Sequence, residues 1–260
     1  MRNENTDRTG FKARVSRRSA LVLTSAALAG AVLPAAAAGA PADDSWVESA
    51  VQLGETPLAA VLRHPFVSGV FAGTLAKGPF VLFLQQNLIY LAHYAAVLET
   101  LAGRLVRERG LKGESEAFAA WAQETLDMRD WTASYVKDLE GEIPQNAAAI
   151  GALQSYVDFE EACAQGESLA AAVAAVLPCF WLWDAFGRKL RPGAKIDGNP
   201  FRAWVEGMGS EAAHASCIKI LAVAESLARD ASLEEKARMT DVFLAGCWHE
   251  WSLFEAVLRR

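Results

Sequence analysis

The sequence is short of the residues that most chemistry needs. It has four histidines and four cysteines in 260 residues. Cys163, Cys179, Cys217 and Cys247 form no C-x-x-C pair, and no His/Cys spacing matches a zinc site. Each cysteine lies within an apolar helical pattern, the setting of a buried free thiol. Alternating strand patterns, Asn-Gly hairpin signals, regular heptads and internal repeats are all missing, which removes β-sandwiches, barrels, coiled coils and solenoids. Basic clusters are missing beyond the first forty residues. Residues 1–38 hold six Lys/Arg and two acids of the 25 basic and 31 acidic residues, so the remainder carries 19 basic and 29 acidic side chains, a net of −10. A surface of that sign repels phosphates, and nucleic-acid binding is excluded on this ground.

The N-terminus reads as a leader. "SRRSALVLTSAALAGAVLPAAAAGAPA" places Arg17-Arg18 before an apolar run from Ala20 to about Leu33, then small residues with Ala-x-Ala options such as Ala36-Ala37-Ala38. The apolar run is shorter than the roughly 20 residues that span a bilayer. Ser-Arg-Arg before it resembles the bacterial twin-arginine signal. The expected organisation is therefore a signal peptide and small-residue linker over 1–42 and one domain over 43–260, exported to the periplasm or beyond, with membrane contact only in transit. A twin-arginine route exports folded protein, which would let thiols be buried while reduced.

From about residue 45 apolar residues recur at three- and four-residue spacing. Long helices are predicted over 78–109, 114–139, 146–164, 168–190 and 232–260, with one or two more over 199–230. Ser232 is the expected cap of the last, with Glu234 and Glu235 in its first turn. The reading is a single all-α bundle of seven to nine helices. Pockets in bundles are built by side chains projecting inward from facing helices. Three stripes qualify: Asn87, Tyr90 and Tyr94; Cys179, Trp183 and Phe186; and Glu250, Leu253, Phe254 and Val257. Spacing alone leaves each open between core packing and a site. His93, His214 and His249 are scattered and read as structural or surface groups.

Five segments carry more. "HPFVSGVFAGTL" (64–75), "LQQNLIYLAHYA" (84–95), "LAAAVAAVLPCFWLWDAFGRKL" (169–190), "NPFRAWVEGMGSEAAH" (199–214) and "CWHEWSLFEAVL" (247–258) occur in an order and spacing that resemble the TenA, or thiaminase II, family across roughly 47–260. The pyrroloquinoline-quinone synthesis oxidase and haem oxygenase share that fold more distantly; His64, before Pro65, is badly placed for a haem ligand. The resemblance implies a haem-oxygenase-like helical bundle, a homo-oligomer (tetramer or dimer), and a deep pocket for a 4-amino-2-methylpyrimidine or thiamine-related ligand. It implies hydrolysis at the pyrimidine methylene, releasing an amine or a thiazole, with no metal and no organic cofactor. Cys179 then takes the place of the nucleophile and Glu250 that of the acid/base. Tyr90 matches a pocket tyrosine of the motif, and a gapless reading back from Cys179 places Tyr156 at another.

Three positions depart from the family pattern. Asn87 stands where Asp is common; an Asp accepts from the exocyclic amine and pairs with a protonated ring nitrogen, whereas Asn brings no charge. Met208 stands four residues after Trp204 where Tyr is usual, and Leu253 three after Glu250 where Phe is usual. These predict a pocket that keeps the catalytic pair but prefers a less cationic or bulkier ring. The alternative, from another class, is an exported protein that binds a pyrimidine-like or other small heteroaromatic ligand without turnover. A transcriptional regulator, a label the family has carried, sits badly with the acidic surface and the leader.

Overall fold

The computed structural model describes residues 45–144 and 147–260; the leader with Arg17 and Arg18 lies outside them. Among the described residues there are nine α-helices and no strand: α1 (Trp46–Leu62), α2 (Pro65–Ala72), α3 (Lys77–Arg109), α4 (Lys112–Asp138), α5 (Gly151–Gly166), α6 (Leu169–Ala185), α7 (Arg202–Gly207), α8 (Glu211–Arg229) and α9 (Leu233–Leu258). The all-α bundle expected from the periodicity is what the chain forms.

Serines start four of these helices by accepting a backbone N–H that the first turn leaves unpaired. Ser45 caps α1, Ser168 α6, Ser210 α8 and Ser232 α9, the last accepting from the Glu235 amide at 3.2 Å. α2 is capped by His64, whose Nδ1 accepts the Phe66 amide at 3.2 Å. That acceptor role puts the ring proton on Nε2, which donates to Glu255 Oε2 at 3.1 Å. Burial lowers the pKa of His64 and keeps it neutral. His-Pro-Phe is thus a latch tying the start of α2 to the end of α9.

α6 sits at the centre, packed against α9, α8, α5 and α3. Residues Leu169 through Pro178 are all buried, so this helix is apolar all round. Its length and composition would suit a membrane span, but its surroundings are other helices. Pro178 lies inside it and costs a backbone hydrogen bond. The ring is accommodated at Gly246 of α9, where a Cβ would meet Pro178 Cγ at 2.7 Å and the Ala175 carbonyl at 3.2 Å. Only glycine admits the two helices this closely, and that contact brings α9 against the cysteine that follows the proline.

Two boundaries differ from the sequence reading. The segment before α5 was expected to be helical from residue 146, yet the helix starts at Gly151. Gln86 of α3 accepts the Ile150 amide at 2.8 Å and donates to the Ala148 carbonyl at 3.3 Å. A side chain from another helix thus takes the groups that the alanine-rich run would have used for a further turn. At the other end of α6 the helix widens into a π turn over Phe186–Leu190 before a 3-10 turn, Arg191–Gly193. There Gly187 crosses Gly209 backbone to backbone with no room for a side chain on either. The 199–230 region divides into α7 and α8 at this crossing.

Candidate active site

Cys179 occupies the first position after Pro178, one turn before Trp183 on α6. It is half-buried, whereas Cys163, Cys217 and Cys247 are buried, and all four are free thiols. The hydroxyls of Tyr90 and Tyr94, from α3, approach its sulfur. Tyr94 is held by donating to the Val176 carbonyl at 2.9 Å. The Cys179 thiol is pushed well above its ordinary pKa, first by burial and then by the Glu250 carboxyl; the nearby Tyr90 and Tyr94 hydroxyls pull the other way. The resting Cys179 side chain is therefore a neutral thiol.

Glu250, on α9, is buried at 3% exposure, and no cation faces it. Its Oε1 accepts from the Tyr156 hydroxyl at 3.3 Å and from Trp183 Nε1 at 3.4 Å. Burial raises its pKa to about 7, and these two donors limit the rise. A carboxyl poised there can both take and give a proton near neutrality. Tyr156, fully buried on α5, stacks on His249 with centroids 5.2 Å apart and on Tyr90 at 5.1 Å. Tyr90 in turn donates to Glu160 Oε1 at 3.2 Å, with its oxygen 3.4 Å from that of Tyr156. Burial raises Tyr90, Tyr94 and Tyr156 well above the usual phenol range, so all three remain protonated donors.

The apolar side is aromatic. Trp183 lies edge-on to Phe186 and Trp204, at 5.1 and 5.5 Å, and stacks with Phe83 at 6.3 Å. Phe254 packs on Phe83 and Trp183 from α9. Leu253, one turn after Glu250, is buried.

The structure thus brings Cys179, Glu250, Tyr90 and Tyr156 into one network from four helices. Asn87 is half-buried one turn before Tyr90 on α3. Met208 is half-buried where α7 ends, beside the Gly187–Gly209 crossing. Two participants were absent from the sequence reading. Gln86 sets the start of α5 and hence the height of Tyr156. Glu160, on the same face of α5 one turn after Tyr156, is buried at 1% exposure and adds a second carboxyl. Its signal was the i, i+4 spacing from Tyr156, masked by its neighbours Asp158 and Glu161.

Residues 55–260 match the model of the TENA/THI-4/PQQC family. The chain is similar to an aminopyrimidine aminohydrolase of Halalkalibacterium halodurans, 32% identical over 193 residues, 70% of this chain and 81% of that protein. It is 25% identical over 219 residues to the thiamine biosynthesis multifunctional protein ThiED of Corynebacterium efficiens, covering 83% of this chain but 28% of that longer protein. Its fold matches the TenA homologue of P. horikoshii with a TM-score of 0.71 at 18% identity, covering 83% of this chain and 99% of that one. The chain belongs to the TENA/THI-4/PQQC family.

Proposed function

We propose that the protein is an exported hydrolase that cleaves the bond between the methylene carbon of an aminopyrimidine and its amine or thiazole substituent. The observation that carries this reading is a buried Glu250 carboxyl, hydrogen-bonded by Tyr156 and Trp183, close enough to Cys179 to act on its thiol. The name of the Halalkalibacterium relative supports the substrate class. Homo-oligomeric assembly and removal of residues 1–42 on export belong to the same proposal.

The steps balance as follows. Ionised Glu250 takes the Cys179 proton as sulfur adds to a ring carbon, and that proton passes to the adjacent ring nitrogen. The ring, no longer aromatic, is now an electron donor. Its electron pair expels the substituent from the methylene, so that a protonated amine leaves as the neutral amine and a thiazolium as the neutral thiazole, each with the electron pair of the broken bond. Water adds to the methylene and gives one proton to Glu250. The C–S bond breaks, the ring nitrogen's proton returns to the thiolate, and Glu250 releases its proton to solvent, ionised again for the next cycle. Two easier barriers replace one hard one. Burial matters because it raises Glu250 to about 7, where the carboxyl can both take the thiol's proton and pass it on.

The test is incubation of the purified protein with 4-amino-5-aminomethyl-2-methylpyrimidine, following the hydroxymethyl product by mass spectrometry. Cys179→Ser should abolish its formation while thermal unfolding stays nearly unchanged. Tight binding of the compound with no product from the unmodified protein would support the non-catalytic binding protein instead.

A further inference from the structure

Glu160 is a buried carboxyl that the proposed chemistry does not use. Three acids stand close together on α5, yet only Glu160 turns inward. Asp158 accepts from Gln154 at 2.7 Å on the exposed side, and Glu161 pairs with His93 at 2.7 Å with both side chains about two-fifths exposed. Glu160 reaches the tyrosines that surround Cys179. One oxygen, Oε1, accepts from Tyr90. The other, Oε2, is buried and has no hydrogen-bond partner among the described residues.

Such an arrangement is poor structural engineering. A buried carboxyl is normally paired with a cation or fully hydrogen-bonded. The charged and polar groups that act on Glu160 are two acids, Glu250 and Glu161, and two phenols, Tyr90 and Tyr156. With no cation among these, burial and the nearby Glu250 hold it in its neutral form. A leucine or methionine would fill the space at no such cost. A neutral carboxyl presents one acceptor and one donor side by side, and its carbonyl oxygen keeps a second lone pair after Tyr90 has donated. The complementary partner is a ring nitrogen flanked by an amino group.

We infer that Glu160 is a substrate-binding residue whose free Oε2 and adjoining Oε1 pair with the amino-and-ring-nitrogen edge of an aminopyrimidine. The inference rests on the aminopyrimidine reading above. The ligand's polar edge then faces α5, leaving Glu250 on α9 free for proton transfer. Glu160 handles no proton in turnover.

The experiment measures binding to the full-length protein by calorimetry. The probes are 4-amino-5-hydroxymethyl-2-methylpyrimidine and 5-hydroxymethyl-2-methylpyrimidine, which lacks the amino group. Glu160→Met, similar in size and flexible enough to fit, should weaken the amino compound about tenfold or more, the size of a hydrogen bond to a strongly polar group. Binding of the compound without the amino group should change less than about twofold. Glu160→Gln keeps one donor and one acceptor and should retain the preference. Infrared difference spectra give a measurement independent of the methionine variant's folding. The carboxylic-acid carbonyl band missing from Glu160→Gln should shift in the unmodified protein on adding the amino compound and not on adding the other. Equal weakening of both compounds, no weakening of either, or a band that stays still overturns the assignment. If the unmodified protein binds neither compound, the aminopyrimidine reading itself fails.

Discussion

Tyr156 donates its hydroxyl hydrogen to Glu250 Oε1 across 3.3 Å, and this contact tunes the acid/base. Burial alone favours the protonated carboxyl; Tyr156 and Trp183 favour the ionised one, and the balance falls at about pH 7. The proposed reaction needs ionised Glu250 to accept the thiol proton. The rate constant kcat/KM should therefore rise with pH through about 7. Tyr156→Phe removes one donor to the ionised form, which should move that limb up by about one pH unit, since a net bond of about 1–1.5 kcal/mol corresponds to roughly that shift. A limb that stays in place in the variant would show that Tyr156 does not set it.

The same carboxyl should cost stability, and the sign follows from its shift. Glu250 holds its proton to about pH 7 when folded, against 4.5 as the ordinary value. Between those values the folded state binds more protons than the unfolded state, so this group's contribution to stability falls as pH rises. The span corresponds to about 3 kcal/mol lost by pH 8 relative to pH 4. Glu250→Gln removes the titration. The variant should lose most activity, yet gain stability relative to the unmodified protein as pH rises from 5 to 8, measured by urea unfolding. Parallel pH dependences for the two proteins would mean that Glu250 is not desolvated in solution.

Access distinguishes the four thiols. Burial raises all of them, Cys163 to about 11 and Cys217 to about 12, so none is a ready thiolate at neutral pH. Iodoacetamide should react slowly at pH 7 and faster as pH rises. Cys179 is the half-buried one of the four and should label first, and a bound pyrimidine should protect it. Equal labelling of all four only on denaturation would make Cys179 a packing residue.

The helices were legible because their apolar residues recur at 3.6-residue spacing, and the cap at Ser232 sits where the sequence places it. What escaped was decided between helices. Nothing local says that Gln86 will claim the amide of Ile150 and delay α5, or that Gly187 will meet Gly209 and widen α6 into a π turn. Cys179 and Glu250 were legible through the family's segments, since an apolar cysteine or a late glutamate alone reads as core or surface. Glu160 stayed hidden because its inward direction depends on the register of α5, which Gln86 sets.

Export rests on the sequence alone. Arg17→Lys together with Arg18→Lys should leave the precursor in the cytoplasm, because paired arginines before a moderately apolar run are the address of the twin-arginine route. N-terminal sequencing of exported protein should begin near Ala36–Ala42. A product that starts at Met1 would remove the leader reading.

Asn87 bears on substrate choice. It lies one turn before Tyr90 on the helix that faces Cys179, and it is only half-buried, so a carboxylate there keeps part of its hydration. A charged carboxylate facing a protonated aminopyrimidine makes a bond roughly twice as strong as a neutral one. Asn87→Asp should therefore tighten binding of 4-amino-5-aminomethyl-2-methylpyrimidine severalfold, about 1 kcal/mol, given net bonds of about 1 for neutral pairs and 1.5–3 for charged ones. The gain should be largest at mildly acidic pH, where the ring carries a proton, and should fade as the ring loses it. It should be absent for a ring without a basic nitrogen, which separates a charge effect from a change in pocket shape. Efficient hydrolysis of that compound by the unmodified protein, together with weaker turnover by Asn87→Asp, would show that the asparagine already suits the small pyrimidine and that the pocket has not moved toward a less cationic ring.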